Sequence, residues 1–130
     1  MRMPRALVID DEPGIRLALK RWFERQGYSV LEAADGEAAL KHLFPIELVD
    51  AELISVVVCD LHLPGISGAA LLERLYRDAP VLATRLILTS GDAIDDAAPG
   101  SMLAQHRFVL QKPFDLARLR IIVDRVLQGD

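Results

Sequence analysis

The sequence predicts an α/β fold in which a doubly wound parallel sheet of five strands carries helices on both faces. Three observations predict it. Four short apolar runs, Ala6-Leu7-Val8-Ile9, Val56-Val57-Val58-Cys59, Leu86-Ile87-Leu88 and Phe108-Val109-Leu110, show no polar alternation. Strands buried on both faces read this way. Segments of helical periodicity lie between the runs, so that strand and helix alternate five times along the chain. That alternation calls for crossover helices packed on a parallel sheet.

Taken in order, the first run is followed by a helix that Pro13 can start and Gly27 can stop. Ile15, Leu19, Trp22, Phe23 and Gln26 fall on its inward face. Residues 28–33 read as a weaker, edge-like strand. Asp35 can cap a helix running to Leu43, and Ser67 can cap one carrying Leu71, Leu72, Leu75 and Tyr76. Asp115 can cap the last helix, where Leu116, Leu119, Ile122, Val123, Val126 and Leu127 form a wide apolar stripe. Residues 44–53 read as a long connection. Residues 92–100 are small and polar and break at Pro99-Gly100, leaving room for a short helix at 101–106.

With 130 residues the chain has the length of one domain, spanning 1–130, and its 52 % hydrophobic content can supply a core. The net charge of −4 and the scattered basic residues argue against a nucleic-acid surface. A single cysteine, Cys59, excludes an internal disulfide, and its place in an apolar run makes it a core residue. No apolar run approaches the ~20 residues needed to span a membrane, and the start lacks a secretory pattern. A cytoplasmic protein is expected. His42, His62 and His106 are far apart in sequence, so their side chains are not read as a metal set.

In open α/β sheets the ligand site lies beyond the carboxyl ends of the strands. The first run ends in Asp10-Asp11-Glu12, the third strand in Asp60, the fourth in Thr89-Ser90-Gly91 and the fifth in Lys112-Pro113. Clustered carboxylates resist ionisation in one another's field, and a hard divalent cation offsets this. An ammonium and a hydroxyl can then hold phosphate oxygens, while one carboxylate serves as nucleophile toward phosphorus.

Asp10-Asp11, the loop Asp60-Leu61-His62-Leu63-Pro64-Gly65-Ile66-Ser67-Gly68, and Lys112-Pro113-Phe114 together resemble the receiver domains of two-component response regulators over essentially the whole chain. The resemblance implies a flavodoxin-like sheet of strand order 2-1-3-4-5. It implies Asp60 as phosphoacceptor, with Mg²⁺ held by Asp60, by Asp11 directly, by Asp10 through water and by the backbone carbonyl of His62. Lys112 would pair with the phosphate across a cis Lys112–Pro113 bond. The switch hydroxyl is Thr89 or Ser90. Ser90 is the expected one: it lies 30 residues after Asp60 and 22 before Lys112, a spacing similar to that of chemotaxis-type receivers.

The implied phosphodonor is a sensor histidine kinase or a histidine phosphotransfer protein. The implied recipient of the signal is a downstream protein or an output domain, and homodimerisation is left open. Two departures from the pattern stand out. Val109 occupies the position where an aromatic is usual, with Phe108 one earlier, and the 44–53 connection is long. Rival readings are an Asp-nucleophile phosphatase of the haloacid-dehalogenase type, a degenerate receiver serving as a scaffold, and a flavodoxin-like electron carrier. The first needs a second Asp where this chain has His62. The second is opposed by the complete acidic set, and the third by the lack of a phosphate-cradling loop.

Overall fold

β1 (Arg5–Ile9), β2 (Ser29–Ala33), β3 (Ile54–Asp60), β4 (Leu86–Ser90) and β5 (Val109–Gln111) pair in parallel in the order β2-β1-β3-β4-β5. This is the doubly wound sheet and the strand order the sequence implies. The computed structural model describes residues 3–44, 54–91 and 102–129.

The unalternating strands bury both faces against separate cores. Leu7, Ile9, Val57, Cys59, Leu86 and Leu88 face one side, where α2 (Gly36–Leu43), α3 (Gly68–Asp78) and the single turn α4 (Pro80–Ala83) cover them. Ala6, Val8, Val56, Val58, Ile87 and Leu110 face the other, under α1 (Pro13–Arg25) and α6 (Leu116–Gln128). There Trp22, Phe23 and Tyr28 form successive edge-to-face ring pairs with centroids 5.0 and 5.1 Å apart. α5 (Met102–Gln105) precedes β5.

The three expected caps are formed. Asp35 accepts from the amide of Ala38 at 2.7 Å, Ser67 from that of Ala70 at 3.1 Å, and Asp115 from that of Arg118 at 2.8 Å. Pro13 occupies the first turn of α1, and Gly27 follows it at φ +93°, the left-handed region glycine enters without strain.

Several expectations are corrected. Gln26 is exposed, because α1 ends at Arg25 and the chain turns toward β2. Leu116 and Leu127 are 45 % and 52 % exposed, so the inward stripe of α6 is narrower than six apolar residues suggest. Phe108 lies before β5 rather than in it. The turn α4 was not foreseen, since four residues show no period. Residues 45–53 of the long connection and 92–101 of the polar segment lie outside the described residues. Among the described residues, no helix is long and apolar enough to cross a membrane.

Candidate functional site

The carboxyl ends of β1, β3, β4 and β5 meet on one rim. Asp10 leaves β1 with its amide donating to the carbonyl of Ala33 at 3.1 Å, and its side chain is buried. Its Oδ1 accepts from the amide of Glu12 at 2.9 Å, and its Oδ2 lies 3.1 Å from Lys112 Nζ. Its main-chain carbonyl accepts from Arg16 at 2.7 Å. Every polar atom of Asp10 therefore has a partner. Asp11, next to it, is exposed.

Asp60 is the last residue of β3, its Cα in register with Thr89. Its Oδ1 accepts from the amide of His62 at 3.3 Å, and its Oδ2 lies 3.5 Å from Lys112 Nζ. The loop after it folds back tightly. The amide of Leu61 donates to Thr89 at 2.8 Å, and that of Gly68 to Leu61 at 2.9 Å. A Cβ on Gly68 would stand 2.7 Å from Cα of Leu61, which backbone cannot accommodate without moving. The glycine thus lets α3 start directly against the phosphoacceptor-like loop.

Oxygens of Asp10, Asp11 and Asp60 lie within 4.8 Å of one another. One ammonium, that of Lys112, reaches two of these three carboxylates. Burial raises the pKa of Asp60. Lys112 and the His62 amide pull it back down, and Asp10 adds to the rise. For Lys112, burial favours the neutral amine, but the bonds and charges of Asp10 and Asp60 outweigh it and raise the pKa. The same carboxylates, after burial, push the Cys59 thiol up, so this cysteine is an inert core group. The surplus of negative charge and the set of hard oxygen donors fit a divalent cation such as Mg²⁺.

Thr89 and Ser90 are both buried at the end of β4, and the amide of Lys112 donates to the carbonyl of Ser90 at 2.7 Å. Among the described residues, Thr89 Oγ1 has no hydrogen-bond partner. The Lys112–Pro113 bond is cis, as the resemblance implies.

The structure thus gathers Asp10, Asp11, Asp60 and Lys112, with Ser90 on the adjoining strand end and His62 following Asp60. His42 and His106 lie elsewhere, bonded to the carbonyls of Glu32 and Leu86. Sequence reasoning missed Arg16. A helical arginine carries no local sign that it will reach back to the end of the preceding strand.

A family model described as the response regulator receiver domain matches residues 6–124. The chain is 35 % identical over 126 residues to the transcriptional activator protein PfeR of Pseudomonas aeruginosa, covering 96 % of this chain and 38 % of that protein. It is 30 % identical over 128 residues to sporulation initiation phosphotransferase F of Bacillus subtilis, covering 98 % and 96 %. Among solved structures, a response regulator receiver domain protein of Clostridium thermocellum superposes with a TM-score of 0.81 at 27 % identity, covering 97 % and 95 %. The response regulator TrrA of Thermotoga maritima, in complex with Mg²⁺ and BeF, does so with 0.79 at 29 %, covering 96 % and 100 %. The chain spans half the length or less of several curated relatives it matches.

Proposed function

The chain belongs to the response regulator receiver domain family, and on that premise we propose that Asp60 accepts a phosphoryl group, with Mg²⁺ as cofactor, from a phosphohistidine on a sensor histidine kinase or histidine phosphotransfer protein. The whole 1–130 span acts as one signalling domain whose phosphorylation switches a protein-binding surface, either for a downstream protein or for an output domain. A reducing cytoplasm suits it, with its one cysteine a buried free thiol.

A carboxylate oxygen of Asp60 attacks phosphorus, a P–O bond forms, the P–N bond to the donor imidazole breaks, and that nitrogen keeps the electron pair. Lys112 already lies between Asp10 and Asp60, so its charge is in place before the phosphoryl oxygens arrive and need not be reoriented. Ser90 supplies the hydroxyl that follows the phosphate. Asp11 and Asp60 would hold Mg²⁺ directly, Asp10 through water and His62 through its main-chain carbonyl. The cation would offset the charge gathering on the transferred oxygens. Asp10 suits the indirect role, since its two side-chain oxygens are taken by Glu12 and Lys112.

A groove of about 490 Å³ beside Lys112, lined by Ile15, Ala18, Leu19, Phe114 and Leu116 among others, gives an apolar seat for the partner that brings the phosphohistidine.

The observation that carries this reading is the approach of three carboxylates to within 4.8 Å, with Lys112 reaching two of them at the strand ends. Intact-mass measurement after incubation with acetyl phosphate and Mg²⁺ tests it. Wild type gains one phosphoryl group and Asp60→Asn gains none. Equal labelling of the two would remove Asp60 from the role.

A further inference from the structure

The carbonyl of Asp10 lies one residue beyond the end of β1, where the ladder with β2 has run out. The donor that satisfies it comes from α1. Arg16 reaches back over the helix start and donates through one terminal nitrogen at 2.7 Å, while its Nε stands 3.5 Å from Glu32 on β2. This carbonyl belongs to the peptide plane that joins Asp10 to Asp11. Holding that carbonyl fixes ψ of Asp10, the torsion that sets where the chain carries the Cα of Asp11 and with it the carboxylate. Asp11 itself is exposed. The Glu12 amide, beyond the plane, bonds back to Asp10 Oδ1, so this turn and Arg16 hold the Asp10–Asp11 peptide together, while Ala33 and Lys112 fix the amide and side chain of Asp10.

We propose that Arg16 is a positioning residue for the metal site, acting through the Asp10–Asp11 peptide to hold the Asp11 carboxylate toward Asp60. The inference rests on the reading of this site as an Mg²⁺ site. It runs against the simplest electrostatic expectation. A guanidinium beside three carboxylates repels an incoming cation, so removing it should tighten metal binding. One feature weakens that repulsion: Glu32, 3.5 Å from the Arg16 Nε, offsets the charge. The hydrogen bond, in contrast, is short, charge-assisted and aimed at a carbonyl that has no other donor among the described residues. Positioning and repulsion therefore give opposite signs for the same substitution.

Calorimetric titration of the full chain with Mg²⁺ alone reads that sign. Wild type, Arg16→Met, Arg16→Lys and Asp11→Ala are compared, with urea midpoints measured in EDTA. Outer partners of metal ligands typically contribute about 10-fold or more in affinity. Arg16→Met should raise the Mg²⁺ Kd by about that factor. Arg16→Lys, which keeps the charge and one donor, should fall between Arg16→Met and wild type. Tighter or unchanged binding in Arg16→Met overturns the inference, as does a lowered urea midpoint in both variants with wild-type Mg²⁺ affinity. Failure of the underlying site looks different: wild type would bind no Mg²⁺, or Asp11→Ala would bind as well as wild type.

Discussion

Thr89 buries a hydroxyl for which the described residues offer no partner, one position before Ser90. A buried hydroxyl without a hydrogen bond costs about 1–3 kcal/mol, whereas a methyl of the same shape costs nothing there. Thr89→Val keeps the shape and removes the polar atom. It should raise stability by about 1 kcal/mol, read as a higher urea midpoint, and leave phosphorylation of Asp60 intact. The same variant separates the two candidate hydroxyls. If Ser90 follows the phosphate, hydrogen-exchange changes on adding beryllofluoride and Mg²⁺ should match wild type in Thr89→Val and be lost in Ser90→Ala. The reverse pattern would move the switch to Thr89.

At the junction of α5 and β5, three elements are tied by one imidazole. His106 Nε2 lies 2.6 Å from the carbonyl of Leu86 at the start of β4, and its Nδ1 lies 2.9 Å from the Tyr76 hydroxyl on α3. A carbonyl only accepts, so Nε2 carries the proton and Nδ1 takes the tyrosine's. The tyrosine oxygen can also accept from a protonated Nδ1, so it is burial of the charge that favours the neutral ring. Burial lowers the His106 pKa from its ordinary 6.5, and the bond to Leu86 opposes this less strongly. With a depressed folded-state value, the stability from His106 is fully present above 6.5 and is lost as pH falls below it toward the folded pKa. His106→Asn should cost about 1–3 kcal/mol at pH 7. Its deficit against wild type should shrink as pH falls from 7 to 5, in thermal melts without metal. A deficit that stays constant across that range would show that the imidazole does not titrate with folding. This tie fixes the approach to β5, three residues before Val109. Residues 92–101 of the polar segment before it lie outside the described residues.

For the molecule as a whole, the rim is a local cost set on a well-packed sheet. Two buried carboxylates share one ammonium while a third faces solvent beside them. Asp60 has a raised pKa, first from burial. The folded chain thus binds its proton more tightly than the unfolded chain does. Stability from this group is present at low pH and is lost as pH rises from the ordinary carboxylate value through the folded one. At neutral pH without metal, Asp60→Asn should therefore be more stable than wild type, with Tm higher by roughly 2–5 °C. Lys112 keeps Asp10 at 3.1 Å in that variant, so no ammonium is stranded. Mg²⁺ should raise the Tm of wild type more than that of Asp60→Asn, because a ligand stabilises in proportion to its affinity for the folded state. A lower Tm for metal-free Asp60→Asn would mean that Asp60 is a net stabilising group through Lys112, contrary to this account.

Fold class, strand order (through the family resemblance) and the rim on which chemistry gathers were all legible in the residues. These depend on features that neighbouring residues carry: apolar runs without alternation, caps such as Asp35, Ser67 and Asp115, and polar residues placed where each run stops. How the gathered groups divide among one another became visible in the folded chain. Lys112 lies closer to Asp10 than to Asp60, across 102 positions of sequence. Arg16 turns back to a strand end, the Thr89 hydroxyl finds no partner among the described residues, and Leu116 and Leu127 stay exposed on a helix whose pattern suggested burial. The physical reason is one of range. Periodicity and capping are fixed within one or two turns of chain, whereas a side-chain pairing depends on where separate elements come to rest against a shared core.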